Sequence, residues 1–445
     1  MTSTVQVTPR TPKKIPLLGH VIPLLRAPLE TLQSLRSQGD VVAIYLGTRP
    51  VYVINSPELI QRMLVTEADK FTKGRFFDKG RPFVGNGLAT SEGDFHMRQR
   101  RLMLPIFHRE RLRVYTEVMR EQSAAIADVW TPGQRIAADQ AMHELTFTVT
   151  TKALFHSDLG DRAVAEIQHW LPIFLKGLMR RSLSPIDMLE KLPIPSNRQF
   201  ELARSGLKKI IDDVVEIYLA DPADHGDLLS MLVNVRDEDT GEGMSHEQLH
   251  DELMTILIAG TETTGTALSW LFHELGHRSD ITARLYPEID SVLGGRPVTF
   301  DDVPALTYTR RIVNETLRLH SPVWMSMRRA ATSVEFGGVH IPPGSELLYS
   351  PTTMHRDPAF YTDPDRFDPD RWESSPRRGT YLPFGGGRHK CIGDHFALTE
   401  MVVAVATIAA KWQLIPAPGH TVREQPSSTL RPDRLPMTVV PRGSR

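Results

Sequence analysis

The chain has 445 residues and a mass of 50.1 kDa, with 40% apolar, 24% charged and 7% aromatic residues. That composition is globular and excludes collagen-like, coiled-coil and wholly disordered chains. Lys and Arg number 52 against 53 Asp and Glu, a net charge of −1, so no basic excess points to nucleic acid or an anionic membrane.

Residues 1–14 are polar and Pro-bearing, with no apolar signal core, and no apolar run approaches the ~18 residues of a membrane span. A cytoplasmic protein without a membrane anchor is expected. The Pro-rich stretch 8–20 reads as an extended arm, because Pro lacks a donor and restricts the residue before it. Residues 28–38 are helix-like, and two β-branched runs over 40–55 flank Gly47-Thr48-Arg49-Pro50 as a hairpin, with a helix from Pro57. Residues 70–92 lack a period and read as a long loop. Amphipathic helices are predicted over 94–128, 137–157, 161–181, 198–219, 246–277 and 308–320. Strand-like runs return from Val323 to Leu348, followed by an irregular stretch from His355 to Pro383, a glycine cluster and a helix over 394–412. The whole reads as mainly α with a small β-rich portion: a flexible arm over 1–14, one mixed domain over 15–440 whose ends pair, and a linker-like tail over 441–445.

The only cysteine, Cys391, forbids an intrachain disulfide and any site built on paired cysteines. It follows three glycines in FGGGRHKCIG, residues 384–393, just before the last helix. Glycines let backbone approach closely, and a helix N-terminus with turn N–H groups favours a thiolate, above all one bound to a metal. In AGTETT, residues 259–264, the Thr263 hydroxyl is expected to bond back to the Ala259 carbonyl and open a small groove beside Glu262. ETLR, residues 315–318, sets Glu315 and Arg318 on one helix face, and DRFDPDRW with Arg371 follows about fifty residues later. HMRQR, residues 96–100, places His96 and Arg100 one turn apart, donors suited to a dianionic edge.

Phe384, Gly385, Gly387, His389, Cys391 and Gly393 match F-G-x-G-x-[HR]-x-C-x-G, and the string resembles the haem-binding loop of the cytochrome P450 family. AGTETT, E-x-x-R, Arg371 and His355-Arg356-Asp357-Pro358 extend the resemblance over most of the chain. The resemblance implies the cytochrome P450 fold, haem b with Cys391 as axial thiolate and metal ligand, and Glu262 and Thr263 as the acid–alcohol pair that delivers protons. It places His96, Arg100, Arg328 and His389 at the haem propionates and Phe384 beside the cofactor. Glu315, Arg318 and Arg371 would support the cysteine loop. Phe76, Phe77, Phe83, Leu88, Val323, Trp324 and Met325 fall where that family lines an apolar pocket, though each suits ordinary core as well.

The implied reaction inserts one oxygen atom of O2 into a C–H bond of a small apolar molecule. Since one cysteine cannot hold an iron–sulfur cluster, electrons are expected from a separate ferredoxin and ferredoxin reductase, with Arg109, Arg111, Arg113 and Lys390 as candidate contacts. A monomer is expected. Residues 15–47 and the segment SPVWMSMRRA are similar to actinobacterial sesquiterpene oxygenases, the pentalenene oxygenases among them, which implies a terpenoid substrate in secondary metabolism. Fatty-acid, steroid or macrolide hydroxylation and peroxide-driven turnover are alternatives. HEQLH, residues 246–250, and HELGH, residues 273–277, also satisfy the zinc-hydrolase pattern H-E-x-x-H, but two copies in one helix favour coincidence, and Ala283 stands where a third metzincin His would be needed.

Overall fold

A computed structural model of the chain describes residues 9–155, 159–183, 192–221 and 223–443. It divides into two compact units, one of Met1–Asp78 with Leu317–Cys391, the other of Lys79–Thr316 with Ile392–Arg445.

The first unit is built on a five-stranded sheet. Its predicted hairpin forms from Val41–Leu46 and Arg49–Ile54, paired antiparallel from Val41↔Ile54 to Leu46↔Arg49, with Gly47 at φ 67° in the turn. Arg49–Ile54 then pairs in parallel with Glu346–Tyr349, which pairs antiparallel with Ser326–Ala330, whose other edge takes Phe71–Lys73. Pro57 opens a short helix, Pro57–Gln61, capped by the Ser56 side chain. Under the sheet lies a core that includes Ile54, Ile60, Met63, Phe71, Phe336 and Tyr349, with the Phe71 ring edge-on to Phe336 at 5.5 Å. The extended arm is tied down at Arg10, whose carbonyl accepts the Ala43 amide. The rest of the arm, residues 1–8, and residues 444–445 of the tail lie outside the described residues.

The second unit is mostly helical. Its longest helix among the described residues, His246–His277, starts at a reciprocal cap between Ser245 and Gln248 and runs 32 residues. Gly260 and Gly265 let the Ala138–Leu154 helix cross it closely. A Cβ on Gly260 would stand 2.8 Å from Thr150 Oγ1, and one on Gly265 would stand 3.0 Å from the His143 Cα. The Asp394–Lys411 helix is mostly apolar and packs on Arg109–Asp128, where Tyr115 meets Phe396 at 5.7 Å. Pro436–Pro441 forms the middle strand of a three-stranded sheet between Arg135–Ala137 and Trp412–Pro416.

Two expectations need correction. Residues 70–92 are not one loop, since they hold the strand Phe71–Lys73 and the helix Arg75–Val84, whose internal Pro82 disguises it. The 94–128 helix is broken by Pro105 into Gly93–Met103, a tight turn over Leu104–Phe107, and Arg109–Asp128. The expected pairing between strands from the two ends of the chain is present, since Arg49–Ile54 lies beside Glu346–Tyr349, while the last strand, Pro436–Pro441, joins a different sheet. Among the described residues no helix is long and apolar enough to cross a membrane.

Candidate active site

In the first unit the cysteine loop closes on itself. The Cys391 amide donates to the Phe384 carbonyl at 3.0 Å, Gly385 N–H to Leu382 O at 3.2 Å and Lys390 N–H to Gly387 O at 3.1 Å. Gly385 and Gly387 sit at φ 69° and 66°, the left-handed region that a side chain resists. At Gly387 the close approach is to protein: a Cβ there would fall 1.8 Å from the Leu64 carbonyl oxygen. Sequence reasoning gave the glycines to a ligand, and at this position the neighbouring Arg62–Thr66 turn takes the space. The Cys391 side chain is exposed at the end of this loop.

The stretch leading into the loop is irregular in backbone but heavily tied. Arg318, fully buried, donates to the carbonyls of His355, Pro364 and Arg366 at 2.8, 2.7 and 3.1 Å. A buried guanidinium requires such acceptors. Arg371 donates to Thr362, Asp363 and that same Arg366 carbonyl, so two arginines distant in sequence clamp one ribbon. In His355-Arg356-Asp357-Pro358 each polar member has its own task. Arg356 caps the Leu319 carbonyl at the end of the Thr307–Leu319 helix, and Asp357 pairs with Arg36. His355 Nε2 accepts the Leu382 amide at 2.9 Å, while Nδ1 lies 2.9 Å from Ser321 Oγ. Burial, with Arg318 nearby, holds the His355 pKa down to about 3, so the ring is neutral and can accept that amide.

In the second unit, Glu262 and Thr263 lie near the middle of the His246–His277 helix. Thr263 Oγ1 donates to the Ala259 carbonyl at 2.6 Å, the expected back-bond. Glu262 Oε1 accepts from Ser428 Oγ at 2.8 Å and Thr429 Oγ1 at 3.3 Å. These two hydroxyls come from the turn of a small hairpin, Glu424–Pro426 with Leu430–Pro432, which the Trp270 indole pins by donating to Leu430 O at 2.7 Å. Sequence reasoning missed both, because residues 166 and 167 positions away carry no local signal.

The other predicted residues are distributed as follows. His96, buried, and Arg100 share the Gly93–Met103 helix of the second unit, His96 Nδ1 lying 3.2 Å from Ser91 Oγ. Arg328, on the strand Ser326–Ala330, and His389 belong to the first unit. Phe83 joins an aromatic stack in the second unit, 5.2 Å edge-on from Phe200, which stacks on Phe174. Leu88 is buried with its amide on Glu252. Phe76 and Phe77 meet edge to face in the first unit, where Trp324 is buried and Val323 exposed. Arg111 and Arg113 already pair with Asp224 and Asp301 of the chain itself, which reduces what they offer a partner. Two of the four H-E-x-x-H histidines have structural tasks: His250 Nδ1 bonds Asp212 and His277 Nδ1 bonds the His273 carbonyl. Among the described residues no group of three or more His, Cys, Asp or Glu is arranged to hold a metal ion.

The family description "Cytochrome P450" matches residues 9–438, nearly the whole chain. The chain belongs to the cytochrome P450 family. Cyclooctatin synthase of Streptomyces melanosporofaciens is 44% identical to this P450 over 97% of the chain and 95% of its own length. Cyclooctat-9-en-7-ol 5-monooxygenase of the same organism is 41% identical with the same coverage. Pentalenene oxygenase of Streptomyces avermitilis is 36% identical over 97% of both chains, so the resemblance noted in the sequence holds but is exceeded by the two cyclooctatin enzymes. The crystal structure of the cytochrome P450DA heme domain superposes with a TM-score of 0.89 at 27% identity, covering 98% of each chain. This P450 is therefore an oxidoreductase of the monooxygenase class whose cofactor is haem with an axial cysteine thiolate. The residues fit that group: the chain's one thiol is exposed at the end of a loop whose backbone is fixed on both sides.

Proposed function

We propose that this P450 hydroxylates an apolar terpenoid in secondary metabolism, with Cys391 as the axial ligand and His96, Arg100, Arg328 and His389 binding the propionates. Haem, when bound, supplies the iron centre that activates O2 for insertion into a C–H bond. The chain's own residues then hold and move protons. The Thr263 hydrogen is committed to Ala259 O, so its oxygen lone pairs are left to accept from a water. The Glu262 carboxyl, steadied by Ser428 and Thr429, hands on the proton that this water needs. Electrons come from a ferredoxin with its reductase, since the single thiol is committed to iron and cannot build a cluster.

The observation that carries the reading is the single exposed thiol, Cys391, at the end of its closed loop. The names of the relatives, which specify pentalenene and cyclooctat-9-en-7-ol, support an apolar terpenoid over a fatty acid or steroid. The test is a spectral titration of the purified holoprotein with terpene hydrocarbons and alcohols, fatty acids and steroids. A low- to high-spin shift with the terpenoids alone is expected, and Cys391→Ser is expected to lose the red-shifted ferrous–CO band. A shift confined to fatty acids or steroids refutes the substrate class, and a red-shifted band retained by Cys391→Ser refutes the ligand.

A further inference from the structure

The hydrogen bonds at Glu262 do not end at Thr429. Thr429 Oγ1 lies 3.0 Å from Thr266 Oγ1, one turn beyond Glu262 on the same helix, and Thr266 Oγ1 lies 3.4 Å from His143 Nε2 on the crossing Ala138–Leu154 helix. Both threonines are buried, with 3% and 0% of their surface exposed, whereas His143 is half-buried. The chain thus joins a carboxylate to an imidazole through two hydroxyls, with every member in the second unit.

We infer that Thr429 and Thr266 form a relay through which His143 re-protonates Glu262. The inference rests on the reading of Glu262 as the proton donor. His143 Nδ1 is 2.7 Å from the Asp139 carbonyl, which only accepts, so Nδ1 carries a hydrogen and Nε2 alone is left to exchange. With Nε2 protonated, every bond can point one way: Nε2–H to Thr266, Thr266 O–H to Thr429, Thr429 O–H to Glu262 Oε1. Transfer breaks the Nε2–H bond and forms an O–H bond on Glu262, while each threonine gains one proton and passes its own on. The sum is imidazolium plus carboxylate giving imidazole plus carboxylic acid, with no electron moved. Gly265 is what permits the crossing, because a side chain there would push against His143 and Thr146 and separate Nε2 from Thr266.

The experiment compares Thr266→Val, Thr429→Val, Thr266→Ser and Glu262→Gln in the holoenzyme with its redox partners and a turnover substrate. Valine keeps the shape and removes the hydroxyl, while serine restores it. Both valine variants are expected to release several-fold more hydrogen peroxide per electron pair and to show a larger solvent deuterium isotope effect, with haem content and substrate-induced spin shift unchanged and Thr266→Ser close to wild type. A second readout needs no turnover: 15N NMR of labelled histidine in the reduced CO complex, with His143 assigned by its loss in His143→Phe. Nε2 is expected to report a hydrogen bond that is lost in Thr266→Val. Valine variants that couple as well as wild type while Glu262→Gln leaks peroxide overturn the relay and leave Glu262 in place, as does an Nε2 resonance indifferent to Thr266→Val. A well-coupled Glu262→Gln overturns the donor reading and the relay together.

Discussion

At the scale of single residues, two adjacent glycines of the cysteine loop, Gly386 and Gly387, have different roles. Gly386 is extended, at φ −159°, and a Cβ there would meet Leu64 Cδ1 at an ordinary 3.6 Å. Gly387 is left-handed, and its Cβ would strike backbone. Gly386→Ala is therefore expected to keep full haem content, and Gly387→Ala to lose most of it. A left-handed alanine alone costs about 1–3 kcal/mol, and the clash adds to that. Haem absorbance per mole of purified protein decides it, and equal loading of the two variants would refute the assignment. The motif was legible as glycine spacing around one cysteine. The steric reason for Gly387 was not, because Leu64 is more than three hundred positions away.

At the scale of elements, the irregular stretch before the loop is held by side chains in place of a backbone ladder, and that makes it sensitive to acid. His355 has an ordinary pKa near 6.5 when unfolded and about 3 when folded. A depressed folded value gives stability that is complete above the unfolded pKa and is lost as pH falls toward the folded one. Between about pH 6 and 3 the loss approaches ~1.4 kcal/mol per pH unit for this one group. Protonation would also turn the acceptor of the Leu382 amide into a donor. Wild type is expected to exchange the Leu382 amide faster at pH 5, relative to its intrinsic rate, than at pH 7, in hydrogen exchange followed by mass spectrometry. In His355→Gln that acid-dependent increment is expected to vanish, and its persistence would refute the role. Helix positions were legible where the apolar period was clean, as in His246–His277. They failed where a proline sat inside or between helices, at Pro82 and Pro105, because proline's local signal reads as a break whether or not packing continues the helix.

At the scale of the whole molecule, the chain passes between its two units after Asp78, after Thr316 and after Cys391, so the candidate ligand is the last residue of its unit. The C-terminal segment has a structural task, since Pro436–Pro441 is the middle strand of its sheet and its loss would leave Arg135–Ala137 and Trp412–Pro416 without a shared partner. A chain ending at residue 434 is expected to give little soluble holoprotein. Normal yield, measured by the ferrous–CO band, would show the strand to be dispensable. By itself the sequence determined what short-range chemistry sets: the glycine–cysteine loop, the hairpin around Gly47, the back-bonding Thr263, and helices with a 3.6-residue period. Tertiary structure alone decided that Ser428 and Thr429 reach Glu262, that His143 lies beside Thr266, and that Gly387 yields to Leu64. Local pattern acts over a few residues, whereas these contacts join positions more than a hundred apart, and only the packing of whole helices and hairpins brings them within hydrogen-bond reach.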